Sequence, residues 1–327
     1  MVMHRRNLLR LGVAGTLGVT LGRGVAQAQS AAKLPDTVHL IVPFTPGASN
    51  DLFARALAEP LGRLLGVTVV VDNKPGAGGM VGSVGVAHAA PDGGTLMLSS
   101  NSFVTRAAID TKLPFDPKAS FTPLAMVAQG AMVLVVGNEA PFRTMKDLLT
   151  AAKAKPLTYA SAGVGSIGQM SAELLNNMAG VNMTHVPYKG ISPALTDVMR
   201  GRVDMMITTP ASVGGALQGG QIRALGVTSP AASPYFPGLP FVASDVPGYA
   251  VDVWWGVFAP AKLPAALADQ LNKAIRDVAA TPQLRELFAR ESADPSAMNA
   301  SEFAAHVSRE VDKWASVAKS RGIKLTE

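Results

Sequence analysis

Two apolar spacings alternate along this chain. Short runs rich in Val, Ile and Leu predict strands at 38–44, 67–71 and 95–99. Between the first two, Leu52, Phe53, Ala56, Leu57 and Leu61 recur at intervals of three and four, which predicts an amphipathic helix over 50–65. A glycine-rich turn at 75–79 leads into a helix reaching Ala90, and Asp92-Gly93-Gly94 turns the chain into the third strand. This β-α-β-α-β series implies a parallel sheet with right-handed crossovers. A second series begins near Met132. It predicts strands up to Val136, at 157–161, around His185, at 203–208 and at 222–228, with helices at 144–155, 167–178, 193–199 and 211–217.

Residues 229–250 hold five prolines and read as an ordered loop returning to the first series. A strand over 254–259 and two helices at 264–279 and 301–320 then complete the first unit. The expected fold is α/β with two domains, 29–130 joined by 252–327 as the first and 131–251 as the second. Crossovers near 130 and 251 leave a cleft between them, and interdomain clefts at strand C-terminal ends are usual places for small-molecule sites.

Composition narrows the chemistry. With 327 residues, 48% hydrophobic and 16% charged, the chain has material for two cores. Residues 1–28 have a basic start, a short apolar stretch over 11–21 and the small-residue ending Ala26-Gln27-Ala28, which is the pattern of a signal peptide cleaved after Ala28. Arg5 and Arg6 ahead of Leu8 and Leu9 resemble a twin-arginine signal, and the apolar run is well short of the ~20 residues of a spanning helix. The mature protein is expected in the periplasm. The leader holds four arginines and no acid, so the formal charge of +6 falls to +2 without it, and no Lys/Arg run marks a nucleic-acid surface. There is no cysteine, which removes disulfides, thiolate metal sites and cysteine nucleophiles. The five histidines, at 4, 39, 88, 185 and 306, show no metal-binding spacing, and no G-x-S-x-G elbow surrounds Ser49, Ser161 or Ser166. No cofactor, no metal and no catalysis are expected.

The segment YASAGVGSIGQMSAEL (159–174) reads as strand, glycine turn and helix, with Gly163, Gly165 and Gly168 in G-x-G-x-x-G spacing. A dinucleotide site, and with it a periplasmic dinucleotide-dependent enzyme, requires an acid about 20 residues on. Thr184-His185-Val186-Pro187-Tyr188-Lys189 supplies none. A structural turn and a carboxylate site remain. Gly163 and Gly165 would let backbone N–H groups approach an anion, and Ser166 would cap the next helix at its partly positive end. PFTPGASND repeats the arrangement at the first strand, with Gly47, Ala48, Ser49 and Asn50 before a helix starting near Asp51. Asp51 reads equally as a capping residue or as a contact for a ligand hydroxyl or ammonium. Asn101 follows the third strand, as turn residue or cleft residue. Lys189 reads as a partner for a distal carboxylate or as a solvated lysine, and His185 as a hydrogen-bonded structural residue. Thr208 and Thr209 end a strand within reach of the cleft, and Trp254 and Trp255 read as core, hinge packing or an aromatic wall.

The segments LIVPFTPGASND, VVVDNKPGAGG, APDGGTLML, LPFDP, LTYASAGVGS, HVPYKG, PALTDVMRGRVDMM and IRALGVTS occur in an order that resembles Bug-type extracytoplasmic solute receptors. These are the substrate-binding proteins of tripartite tricarboxylate transporters, and the resemblance spans about residues 36–325. It implies a two-domain periplasmic binding protein of Venus-flytrap, type II-like fold, with one small organic carboxylate in the cleft. It also implies a monomer delivering to the membrane permease subunits of such a transporter; presentation to a signalling partner is the alternative. Carried over by motif, the ligand side chains and amides are Phe44, Gly47, Ala48, Ser49, Asn50 and Asp51 on one side, and Ala162, Gly163, Gly165 and Ser166 on the other. Asn101, Tyr188, Lys189 and Thr208 are secondary candidates. Ala48 stands where a second glycine is common in that family and Ile167 where a polar residue is frequent, which implies a ligand less polar than citrate or glutamate.

Overall fold

The computed structural model describes residues 33–47, 49–110, 112–230 and 234–325. The leader, its cleavage point and Ala48 lie outside them. The chain opens with β1 (Thr37–Val42), α1 (Ser49–Leu65), β2 (Thr68–Asn73), α2 (Met80–Ala87), β3 (Thr95–Ser100), α3 (Ser102–Ile109) and β4 (Phe121–Ala131). It continues with β5 (Val133–Gly137), α4 (Met145–Ala154), β6 (Thr158–Ser161), α5 (Ile167–Ala179), β7 (Thr184–Pro187), α6 (Ile191–Met199), β8 (Met205–Thr208), α7 (Pro210–Gln218), β9 (Ile222–Val227) and a short α8 (Val242–Asp245). It closes with β10 (Asp252–Pro260), α9 (Ala265–Ala279), α10 (Pro282–Arg290), β11 (Ala293–Pro295) and α11 (Ala300–Arg321).

The strands form two sheets, ordered β11-β4-β10-β3-β1-β2 and β7-β6-β8-β5-β9. β1 pairs in parallel with β2 and β3, as the alternating series predicts. The sheet is mixed and not wholly parallel, because β10 returns antiparallel between β3 and β4. In the second sheet β6 is parallel to β7 and β8, while β5 lies antiparallel to β8 and β9. Four elements were not anticipated: α3, β4, α10 and β11. The proline-rich return segment also contains α8.

Aromatic packing fixes the first sheet to its helices. Phe53 of α1 meets Trp255 and Phe288 edge-on, each at 4.8 Å between ring centroids. On the opposite face Trp254 meets Phe303 of α11 at 5.6 Å. Such pairs add about 0.5–1.5 kcal/mol beyond their area burial. Gly256 lies under Phe303, where a Cβ would sit 2.3 Å from the ring, so this strand position accepts no side chain. The two long antiparallel strands β4 and β10 carry the chain between sheets. At their ends Met132 donates its N–H to Thr228 Oγ1 (2.9 Å), while its carbonyl accepts from Thr228 N–H (3.0 Å). Thr228 in turn accepts from Val251 N–H at 3.0 Å, so one buried threonine ties the crossing segments together.

A second tie joins α11 to α5. Arg321 Nε donates to Glu173 Oε2 at 2.8 Å, and Tyr159 donates its hydroxyl to Glu173 Oε1 at 2.7 Å inside the core.

Asp252 opens β10 opposite Ala131, and burial pushes its carboxyl up to about 6, opposed by Lys313 and reinforced by Glu310. The folded chain therefore holds the proton more tightly than the unfolded chain does. Stability is whole below the unfolded value of 3.8 and falls as pH rises through about 6. Asp252→Asn should raise stability at pH 7.5 by about 2–3 kcal/mol and change it little at pH 3.5. Chemical denaturation at the two pH values checks this, and an equal effect at both would contradict it.

Candidate functional site

Between the two sheets lies a cavity of about 180 Å³. From the first sheet's side it is walled by Ser49 and Asn50 at the start of α1, Ser100 and Ser102 around the end of β3, and Val253 and Trp255 on β10. From the second side come Ala162, Ser166, Ile167 and Gly168 on the β6–α5 turn, Ile191 at the start of α6, and Ile207, Thr208 and Thr209 at the end of β8. Met132, on the segment crossing between sheets, closes one end. No lining residue is ionisable.

The β6–α5 turn is built from the inside. Gly163 N–H donates to Ser161 Oγ at 3.1 Å, and Gly163 carbonyl accepts from Ser166 Oγ at 2.7 Å. Gly165 N–H donates to Gln169 Oε1 at 2.7 Å, and its carbonyl accepts from Thr105 Oγ1 of α3 at 2.9 Å. Gly165 has φ +82°, and a Cβ there would meet Ile109 at 2.8 Å. Ser166 caps α5 by accepting from Gln169 N–H at 3.3 Å. The next two amides, Ile167 and Gly168, have no acceptor among the described residues. Gly168 presses so closely on β8 that a Cβ would lie 2.6 Å from Ile207 carbonyl. Two donors without an acceptor at the positive end of a 13-residue helix thus belong to residues that line the cavity, an arrangement suited to an anion.

The start of α1 is arranged differently. Asp51 is almost wholly buried in its first turn and accepts from Gly47 N–H (2.9 Å), Asn73 Nδ2 (3.0 Å) and Arg55 Nε (3.1 Å). Burial pushes its carboxyl up, but these hydrogen bonds and the Arg55 charge outweigh burial and hold it below the ordinary carboxylate range. Ser49 Oγ donates to Glu291 Oε2 at 2.9 Å. Asn50 is only 8% exposed, lines the cavity, and its carboxamide makes no hydrogen bond among the described residues. Its buried Oδ1 is an acceptor in want of a donor.

Of the residues singled out by sequence, Ser49, Asn50, Ala162, Ser166, Gly168, Thr208, Thr209 and Trp255 come together on the cavity wall. Gly47, Asp51, Gly163 and Gly165 are not on that wall and are spent on the turns just described. Phe44 packs against Gly79, and its carbonyl accepts from Asn73 Nδ2. Asn101 is fully buried with Nδ2 on Asp252 carbonyl at 2.8 Å, so it stitches α3 to β10. Tyr188 donates its hydroxyl to Asp197 at 2.7 Å, and Lys189 is exposed beyond the cavity. His185 stacks on Tyr159 and shares a 2.7 Å hydrogen bond with Ser161 Oγ; burial pushes its pKa down and keeps it neutral. Ser100, Ser102, Met132, Ile191, Ile207 and Val253 were missed. For the two serines a signal existed, since both flank the C-terminal end of a parallel strand.

Among the described residues no helix is long and apolar enough to cross a membrane, and no group of three His, Cys, Asp or Glu is placed to hold a metal. Residues 53–323 match the family described as tripartite tricarboxylate transporter family receptor. A relative from Pseudomonas sp. strain P51, the UPF0065 protein in the tcbD-tcbE intergenic region, is 36% identical over 285 residues, covering 86% of this chain and 85% of that protein. Among solved structures, R. palustris Rpa4515 with adipate is similar at TM-score 0.78 and 32% identity, covering 89% of this chain and 99% of that one. The periplasmic binding protein BugD is similar at TM-score 0.74 and 32% identity, covering 88% and 98%. These likenesses bear out the Bug-type resemblance and the two-domain binding-protein fold. With 271 consecutive residues inside the family match, the chain belongs to the tripartite tricarboxylate transporter receptor family, a family of substrate-binding receptors and not of enzymes.

Proposed function

We propose that this protein is a periplasmic receptor that captures a small organic carboxylate between its two sheets and delivers it to a tripartite tricarboxylate-type permease. The observation that carries the reading is the pair of unpartnered amides on Ile167 and Gly168, two residues that line a cavity with no ionisable side chain. A carboxylate satisfies both amides at once and gains from the dipole of α5. The adipate held by Rpa4515 supports the same ligand chemistry. In this reading residues 1–28 direct export and are removed after Ala28. Segments 29–130 and 252–327 form one lobe, 131–251 forms the other, and both turn about the Met132–Thr228 tie. A ligand that bridges the lobes binds the closed arrangement better and shifts the population toward it, which gives the permease a shape to read. The hydroxyls of Ser49, Ser166 and Thr208 and the backbone of Ala162 complete the contacts, while Phe44, Gly47, Asp51, Asn101, Gly163 and Gly165 shape the walls from behind.

A bound acid at 100 times its dissociation constant should add about 2.7 kcal/mol of stability, and small-angle scattering should show compaction with the same acid. A panel of organic acids that changes neither dimensions nor melting temperature would contradict the reading. Asn50→Ala should leave the unliganded melting temperature near that of the parent, because the carboxamide has no protein partner to lose. Binding should weaken by about 1–2 kcal/mol. Gly168→Ala must push the start of α5 off Ile207, so it should cost about 1–3 kcal/mol of stability and at least tenfold in affinity. Isothermal calorimetry on both variants measures these effects, and unchanged affinity in both would remove the α5 start from the site.

A further inference from the structure

We propose, on the reading that the start of α5 meets the ligand acid, that Thr105 and Arg106 of α3 are positioning residues for binding. They hold the two peptide groups ahead of that helix start with their carbonyls turned to α3. α3 follows β3 of the first sheet, whereas the β6–α5 turn belongs to the second. A helix attached to one sheet thus sets the geometry of a turn attached to the other.

The peptide groups concerned are 164–165 and 165–166. Both adjoin Gly165, at φ +82°, and Gly163 stands just ahead at φ +127°. A glycine offers little steric resistance when a neighbouring peptide plane turns over, so these planes keep one orientation only if other groups hold them. Each is held at both ends. In the first, Val164 carbonyl accepts from Arg106 Nη1 at 3.3 Å and Gly165 N–H donates to Gln169 Oε1 at 2.7 Å. In the second, Gly165 carbonyl accepts from Thr105 Oγ1 at 2.9 Å and Ser166 N–H donates to Gly163 carbonyl at 3.2 Å. A trans peptide is planar with its C=O and N–H opposed, so fixing the carbonyl also aims the amide. The turn and α5 hold the amide ends, and α3 holds the carbonyl ends.

Packing around α3 agrees with this division. Thr105 is wholly buried, and its hydroxyl lies closer to Gly165 carbonyl than to Ser102 carbonyl of its own helix, at 3.2 Å. Arg106 runs between Gly78, ahead of α2, and Gly165, where a Cβ would lie 3.3 Å and 3.1 Å from its side chain. Neither Thr105 nor Arg106 lines the cavity, so both act through the turn. A plane that turned over would part Gly165 N–H from Gln169 or Ser166 N–H from Gly163. Either change loosens the Ser166 cap and disperses the Ile167 and Gly168 amides that follow it.

Calorimetry and nitrogen-15 NMR at pH 7.5 on the parent, Thr105→Val, Thr105→Ser and Arg106→Ala test this, with adipate against its diamide and benzoate against benzamide as probes. Thr105→Val keeps the volume and removes the donor, and an acid that binds the parent should bind it about fivefold more weakly, the worth of one neutral hydrogen bond. The neutral amide gains less from the helix start and should lose less, so the acid-over-amide ratio falls; general loosening of the fold would weaken both alike. Thr105→Ser keeps the hydroxyl and should restore parent behaviour. Arg106 is half-exposed, so Arg106→Ala should fold as the parent does and lower the same ratio, which carries the test if Thr105→Val does not fold. Without ligand, the amides of residues 165–168 should broaden in both weakened variants while that of Leu175, farther along α5, stays sharp. A parent that binds an acid, with Arg106→Ala and folded Thr105→Val keeping its affinity and its acid-over-amide ratio, overturns the proposal and leaves the receptor reading intact. If no acid binds the parent, the receptor reading fails and the proposal with it.

Discussion

The close approach of α5 to the end of β8 is the contact from which the site follows. Gly168 has no room for a Cβ beside Ile207 carbonyl, so the helix begins directly over the strand end, in the crevice between the two sheets. At that position the first amides of the helix find no acceptor among the described residues, apart from Gln169 N–H, which Ser166 satisfies. The turn that delivers them is held by its own hydrogen bonds through Ser161, Gly163, Gly165 and Gln169. The donors are therefore fixed before any anion arrives, and little ordering remains to be done on binding. In the proposed reading the glycine motif acts as a frame for the helix start that would meet the ligand.

The same turn is joined to the other sheet. Thr105 and Arg106 of α3 donate to the carbonyls of Gly165 and Val164, and Arg321 of α11 pairs with Glu173 of α5. Contacts to the first unit thus lie on both sides of α5, while Met132, Thr228 and Val251 tie the crossing strands together. Trp255, packed on Phe53 from behind, forms part of the cavity wall and of the first core at once. Packing, crossing point and candidate site share these few residues, which is the expected economy of a two-lobed binding protein.

Most of the architecture was legible from apolar spacing because its strands and helices bury one face or both. Parallel β1, β2 and β3 are apolar runs between turn signals, and α5 is flanked by a serine cap and a glycine at its C-terminus. α3 escaped notice because SFVTRAAI is short and follows β3 with only Asn101 between, so periodicity had too few residues to register. β4 contains Pro123 and Gly130, both poor strand signals, yet it pairs along its whole length with β10. For the site, sequence located both helix starts but treated them as equivalent. Their difference depends on where Asp51 and Glu291 point. Glu291 lies 242 residues from Ser49, a distance no local pattern bridges. Ser100 and Ser102 were overlooked in favour of Asn101, whose side chain turns away to the carbonyl of Asp252.

The most direct test of the account is nitrogen-15 NMR of the amides of Asn50, Ile167 and Gly168 during titration with an acid that binds. The account predicts that the Ile167 and Gly168 amide protons shift downfield as a carboxylate oxygen becomes their acceptor, with the Asn50 side-chain amide changing in step. Saturation of the protein by an acid that leaves all three resonances where they began would contradict it.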